Sequence, residues 1–178
     1  LRSLLHATGI PAIYVTHDQE EAFSIADRMI LLHDGAVQQA GTPEQLYQQP
    51  ASVWVARFLG LTNLVEGEVI ALDPLRVKTG LGDWQVTPVG TRFEVGARVS
   101  ILVRSTGARL SSETGLNSLT GQVVDSVFAG QTFRVELKVG TSQRFRLHLE
   151  KDWSSGGELK VWFSPRDMLC LPASGEHG

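Results

Sequence analysis

The spacing of apolar and polar residues along this 178-residue chain changes character once, near residue 60. Before that point the pattern mixes helix and strand. The run Ile10-Pro11-Ala12-Ile13-Tyr14-Val15 is apolar without alternation, which predicts a strand ending at Val15 and covered on both faces, as in a parallel sheet flanked by helices. A helix follows. Thr16 with Gln19, or Asp18 with Glu21, has the reciprocal capping spacing, and both choices stay open. Ala22, Ile25 and Ala26 recur at helical intervals and predict its buried stripe. Leu1 to His6 reads as the last turns of an earlier helix, stopped at Gly9.

Met29 to His33 and Ala36 to Ala40 flank Asp34-Gly35, a strong hairpin signal because that dipeptide accepts the positive φ a tight turn demands. Thr42-Pro43-Glu44-Gln45 carries a cap, a proline at the first helical position and the capping-box glutamine, with Pro50 as a stop. Ser52 to Leu59 predicts a short helix presenting Val55, Phe58 and Leu59, with Gly60 as its left-handed cap.

Beyond Gly60 the period becomes two. Val99, Ile101 and Val103 alternate with Arg98, Ser100, Leu102 and Arg104; Phe133 to Val139 and Phe145 to Leu149 alternate apolar with Arg134, Glu136, Lys138 and with Arg144, Arg146, His148. Half-buried strands have this signature. With glycine punctuation at Gly130, Gly140, Gly156 and Gly157 and no helical stretch between them, the strands predict a small Greek-key barrel.

Composition narrows the classes. The longest apolar stretches, such as Met29 to Leu32, are far below the roughly 20 residues of a spanning helix. A lone cysteine, Cys170, excludes an internal disulfide and has no ligand neighbours at metal spacing, so no metal site is expected. The net charge of −3 divides unevenly: residues 1–61 hold three arginines against six carboxylates, and residues 62–178 are neutral. A nucleic-acid binder concentrates positive field. Arg134, Lys138, Arg144 and Arg146 share one parity in the barrel, but Phe133 and Phe145 have the other, so the basic face lacks aromatic platforms and no nucleic acid is expected.

His17 is the candidate for chemistry. It sits where the apolar run gives out and a helix begins, a junction where backbone donors and an imidazole can meet a phosphate or an attacking water. Alone, it reads more simply as a hydrogen-bonded histidine at a strand end. The ordered series Ile13-Tyr14-Val15-Thr16-His17-Asp18-Gln19-Glu20-Glu21-Ala22, Ala26-Asp27-Arg28-Met29-Ile30, Asp34-Gly35, Gly41-Thr42-Pro43-Glu44 and Phe58-Leu59-Gly60 resembles the switch-histidine region of ATP-binding-cassette (ABC) importer ATPases of the maltose, spermidine, sulfate and iron type. Gly67-Glu68-Val69, Gly121-Gln122-Val123, Phe128-Ala129-Gly130, Arg134-Val135 and Leu171-Pro172 resemble their transport-associated (TOBE) barrel.

The resemblance implies an α+β chain: residues 1–61 as the distal α/β piece of the nucleotide-binding domain, and residues 62–178 as an oligonucleotide/oligosaccharide-binding (OB)-like regulatory barrel. It implies that His17 is the catalytic residue that contacts the γ-phosphate of ATP in a dimer, with Mg²⁺ as the second cofactor. It further implies a second copy and membrane permease subunits as partners, a regulatory protein or small solute at the barrel, and a cytoplasmic site on the inner face of the membrane. Asp18 is a cap rather than a catalyst. No G-x-x-x-x-G-K-[ST] loop, signature sequence or acidic Mg²⁺-binding strand end occurs, so the chain is expected to be a fragment that neither holds ATP nor hydrolyses it. Ser154-Ser155-Gly156-Gly157-Glu158 mimics the cassette signature but lies downstream of His17 and reads as a loop. Where relatives have Val-Arg-Pro-Glu, this chain has Val103-Arg104-Ser105-Thr106, and the family glutamate's role does not transfer. The alternative reading is a free-standing OB-type module for a small oxyanion or nucleic acid.

Overall fold

A computed structural model describes residues 7, 9–90, 92–111, 117–153 and 155–173. The expected helix end at Leu1 to His6, and Ser154 of the signature-like loop, lie outside the described residues. The chain packs as two compact units, one ending at Ala51 and the other starting at Ser52.

The first unit contains α1 (Gln19–Ile25), β1 (Met29–His33), β2 (Ala36–Gly41) and α2 (Pro43–Gln48). β1 and β2 form the hairpin expected around Asp34-Gly35, both of which adopt positive φ, 49° and 77°. Thr42 caps α2 with the full capping box: Gln45 N–H donates to Thr42 Oγ1 at 3.2 Å and Thr42 N–H to Gln45 Oε1 at 2.9 Å. Met29, Leu31 and the fully buried Leu46 form its small core, and Phe23 meets Tyr47 edge-on at 6.3 Å.

The buried strand expected at Ile10 to Val15 is not formed. The segment has no regular structure and no ladder among the described residues, and Ile13 and Val15 are 97% and 90% exposed. Apolar side chains on both strand faces need a layer on each side and a neighbour for the backbone; the described residues of this unit supply only the antiparallel β1–β2 hairpin. The α/β piece expected before the barrel is therefore not evident, and the fold is mostly β.

The second unit opens with α3 (Val53–Phe58), capped by Ser52 and closed by Gly60 at φ +73°. Leu61 N–H donates to Ala56 O at 2.9 Å and Gly60 N–H to Arg57 O at 3.0 Å, the Schellman closure expected of a glycine there. Ten strands follow: β3 (Leu64–Leu72), β4 (Leu75–Thr79), β5 (Gly82–Gln85), β6 (Thr87–Pro88), β7 (Arg98–Val103), β8 (Asn117–Phe128), β9 (Phe133–Val139), β10 (Gln143–Leu149), β11 (Glu158–Phe163) and β12 (Met168–Pro172). They make two sheets, in the orders β5-β4-β3-β7-β12-β6 and β10-β9-β8-β11.

The two sheets repeat one motif. In each half a long strand begins just after or at an asparagine (Asn63, Asn117), passes a glycine (Gly67, Gly121) and bulges after a valine (Val69, Val123), leaving Ile70 and Val124 unpaired in the ladder. Each bulge is pinned by the chain leading into β7 in one half and into β11 in the other. Val69 N–H donates to Ala97 O and Gly96 N–H to Val69 O; Val123 N–H donates to Gly157 O and Gly156 N–H to Val123 O. A bulge bends and twists the strand, so two of them curl the sheets around one core. That core runs from Val69, Val77 and Ile101 through Leu137, Phe145, Leu147 and Phe163.

Alternation held for β9 and β10, whose Val135, Leu137, Phe145 and Leu147 are all fully buried. It failed for β7. Ser100 and Leu102, expected on the solvent side, are 7% and 1% exposed, because α3 lays Val53 and Ala56 over that face, joined by Leu169 and Leu171.

Candidate functional site

Around His17 the geometry is set by Glu21. Asp18 caps α1, its Oδ1 accepting from Glu21 N–H at 3.0 Å. The Glu21 carboxylate does not close the reciprocal box; it accepts from Thr16 Oγ1 at 2.9 Å, and Thr16 Oγ1 accepts in turn from Asp18 N–H at 3.0 Å. Tyr14 also hydrogen-bonds Glu21. That bond, with slight burial and the negative charges of Glu21 and Asp18, pushes the phenol above its ordinary 10.0. Glu21 thus fixes residues on both sides of His17, leaving the His17 residue itself exposed at a bend. The sequence pointed to Thr16 only as a candidate cap with Gln19 and not to Tyr14, because their separations of five and seven to Glu21 match no capping or helical pairing rule.

A second constellation lies on the barrel. The ladder places Arg144 opposite Lys138, Arg146 opposite Glu136 and His148 opposite Arg134, and directly opposed residues of an antiparallel pair share a face. The four basic side chains of matching parity are therefore together, as expected. Glu136, among them, forms an ion pair with Arg144. Thr62 approaches this face and, with Glu136, Arg144 and Arg146, lines an open cleft of about 460 Å³. The segment bearing Thr62 is held there because Asn63 bonds the Arg146 backbone twice, at 2.8 Å each, and Gln143 Nε2 donates to Leu64 O at 2.9 Å.

Among the described residues there is no group of three or more His, Cys, Asp or Glu placed to hold a metal. Nor is any helix among the described residues long and apolar enough to cross a membrane. Cys170 is fully buried, and desolvation pushes its thiol up to about 12.

An OB-like curled barrel with paired bulges is the class the fold defines, and residues 98–171 match the TOBE domain family model. Among solved structures, the cytoplasmic molybdate-binding protein ModG has a similar fold, with a TM-score of 0.51 at 14% identity over 62% of this chain and 96% of that one. Curated relatives are more specific. The chain is 38% identical to the spermidine/putrescine import ATP-binding protein PotA of Rubrobacter xylanophilus over 96% of its own length and 48% of the relative's. To PotA of Ruegeria pomeroyi it is 41% identical over 80% of this chain and 39% of that one. The chain spans about half the length, or less, of these curated relatives. Together the similarities support a C-terminal piece of an ABC importer ATPase that carries a TOBE domain.

Proposed function

We propose that the chain is the distal part of the ATP-hydrolysing subunit of an ABC importer, and that the solute is a polyamine. The observation that carries this reading is identity of 38% across nearly the whole chain to a protein named for spermidine and putrescine import. Residues 1–61 serve as the distal ATPase segment and residues 62–178 as the regulatory barrel, with α3 packed on the barrel side. The exposed apolar run Ile10 to Val15 supports the same division, since it has the composition of a sheet strand and is covered when the remaining strands of the ATPase domain stand beside it.

In the intact subunit His17 contacts the γ-phosphoryl group and the attacking water, and Glu21 acts as a positioning residue through Thr16 and Tyr14. The chain's own residues do not fit ATP and Mg²⁺ by themselves, for the sequence holds no lysine-bearing glycine loop to cradle the phosphates. ATP and Mg²⁺ binding belongs to the longer protein. There a second copy and membrane permease subunits are the partners, the barrel contributes to dimer contacts and regulation, and the subunit works on the cytoplasmic face of the membrane.

The test is ATP turnover in a protein that joins this chain to the upstream half of such an ATPase. His17→Ala is expected to lower kcat by roughly 10²–10³, the loss typical of removing one donor to developing negative charge, with the melting temperature unchanged because the residue is exposed. Unchanged turnover in His17→Ala, or hydrolysis by the 178-residue chain alone, rejects the reading.

A further inference from the structure

Of the two guanidinium groups in the cleft beneath Thr62, one is left without a carboxylate partner among the described residues. The cleft is open, about 460 Å³ in volume, and lined by polar and charged side chains, so a ligand there is held by charge-assisted hydrogen bonds rather than by apolar enclosure. Two guanidinium groups, Arg144 and Arg146, come from alternate positions of β10 on one face, the spacing at which forked donors can grip one anionic group from two sides. Arg144 is engaged by Glu136. No carboxylate among the described residues pairs with Arg146, although Glu136 is directly opposite it in the ladder. The backbone at Arg146 is pinned, its N–H and C=O both fixed by Asn63 at 2.8 Å, which removes part of the ordering cost of a bound ligand.

We propose that this cleft binds a small organic anion through a carboxylate or phosphate group, held by Arg146 and Arg144 with the Thr62 hydroxyl at the rim. Glu136 acts as a built-in competitor: its carboxylate occupies Arg144 in the free state and yields it when the ligand arrives. The cleft volume exceeds what one tetrahedral oxyanion fills, which favours a molecule with a body behind the anionic group. This proposal does not depend on the ATPase reading, because every residue it uses lies in the barrel unit.

The experiment is calorimetric titration of the purified chain at fixed ionic strength with citrate and with glucose 6-phosphate, taking inorganic phosphate as the bare-anion control. Saturable binding of at least one organic anion is expected. Arg146→Ala and Arg144→Ala should each weaken it about tenfold, as loss of a charge-assisted contact does, with Arg146→Lys in between because an ammonium cannot fork. Glu136→Gln should tighten it several-fold by freeing Arg144 and removing a like charge. These side chains face outward, and thermal melts of each variant check that the barrel is intact. Citrate binding without glucose 6-phosphate binding assigns a carboxylate ligand, and the converse a phosphate ester. No saturation by either organic anion, tighter binding of inorganic phosphate than of both, or affinity indifferent to Arg146→Ala and Glu136→Gln overturns the proposal.

Discussion

Asn63 and Asn117 hold opposite halves of the barrel with the same pair of hydrogen bonds. Asn63 Nδ2 donates to Arg146 O and its Oδ1 accepts from Arg146 N–H, both at 2.8 Å. Asn117 Nδ2 donates to Gln85 O at 2.7 Å and its Oδ1 accepts from Gln85 N–H at 2.9 Å. Arg146 and Gln85 occupy matching places, each one step beyond a buried aromatic, Phe145 or Trp84, on the third strand of its half. Each amide therefore substitutes for a missing ladder neighbour on an edge strand of the other half, which closes edges that would otherwise be open to pairing.

Removing either clamp leaves a strand N–H and C=O without a partner near the core. Asn63→Ala and Asn117→Ala should each cost about 1–3 kcal/mol, the range expected for stranding buried polar groups. Urea unfolding measures the loss, and native-state hydrogen exchange should localise it to the Arg146 amide in one variant and the Gln85 amide in the other.

Gly67 and Gly121 are needed for closeness rather than for turn geometry. A Cβ on Gly67 would sit 2.5 Å from Val77 Cγ1 and 2.7 Å from Lys78 O, and one on Gly121 only 2.4 Å from Lys138 O. Alanine at either site should destabilise by about 1–3 kcal/mol through overpacking against backbone. Gly80→Ala, where nothing lies within 4 Å and φ is ordinary, is the control, expected within about 0.5 kcal/mol of the parent in the same urea experiment.

Leu102→Ala tests the layer that α3 adds. A buried leucine truncated to alanine loses about 2–5 kcal/mol, whereas Leu32→Ala, at a position 64% exposed in this chain, should change stability by less than about 0.5 kcal/mol. Equal effects in chemical unfolding would contradict the burial of β7 on both faces.

Cys170 gives a pH-dependent prediction. Burial in the folded chain pushes its thiol up to about 12, against an ordinary value of 9.0, so the protonated form is favoured by folding. Stability is undiminished below pH 9 and falls as pH rises from 9 toward 12, a loss that Cys170→Val should remove. At pH 8 a thiol reagent should label the native chain slowly and the urea-unfolded chain fast; stoichiometric labelling of the native chain would contradict this.

Local chemistry was readable without coordinates. The Asp34-Gly35 turn, the Thr42–Gln45 capping box and the Gly60 closure each depend on the conformational preference of one or two residues and on partners within five positions, and so they are written in short stretches of chain. The parity that gathers Arg134, Lys138, Arg144 and Arg146 on one face is equally local, because strand side chains alternate whatever the fold. The candidate residue His17 was legible as the end of an apolar run.

What the tertiary structure decided depends on partners distant in sequence. Leu102 follows the two-residue alternation onto a face that would be wet in an isolated sheet, and only the arrival of Val53 and Ala56 makes that face dry. Asn63 reaches across to a strand more than eighty positions away, and Thr62 lines a cleft only because of that reach. Ile10 to Val15 has a strand's composition but acquires a strand's ladder only beside a neighbour, which the described residues lack. Periodicity sets which side chains of a segment lie together, and packing sets what they meet, since burial and hydrogen bonding are properties of pairs that the chain brings together by folding.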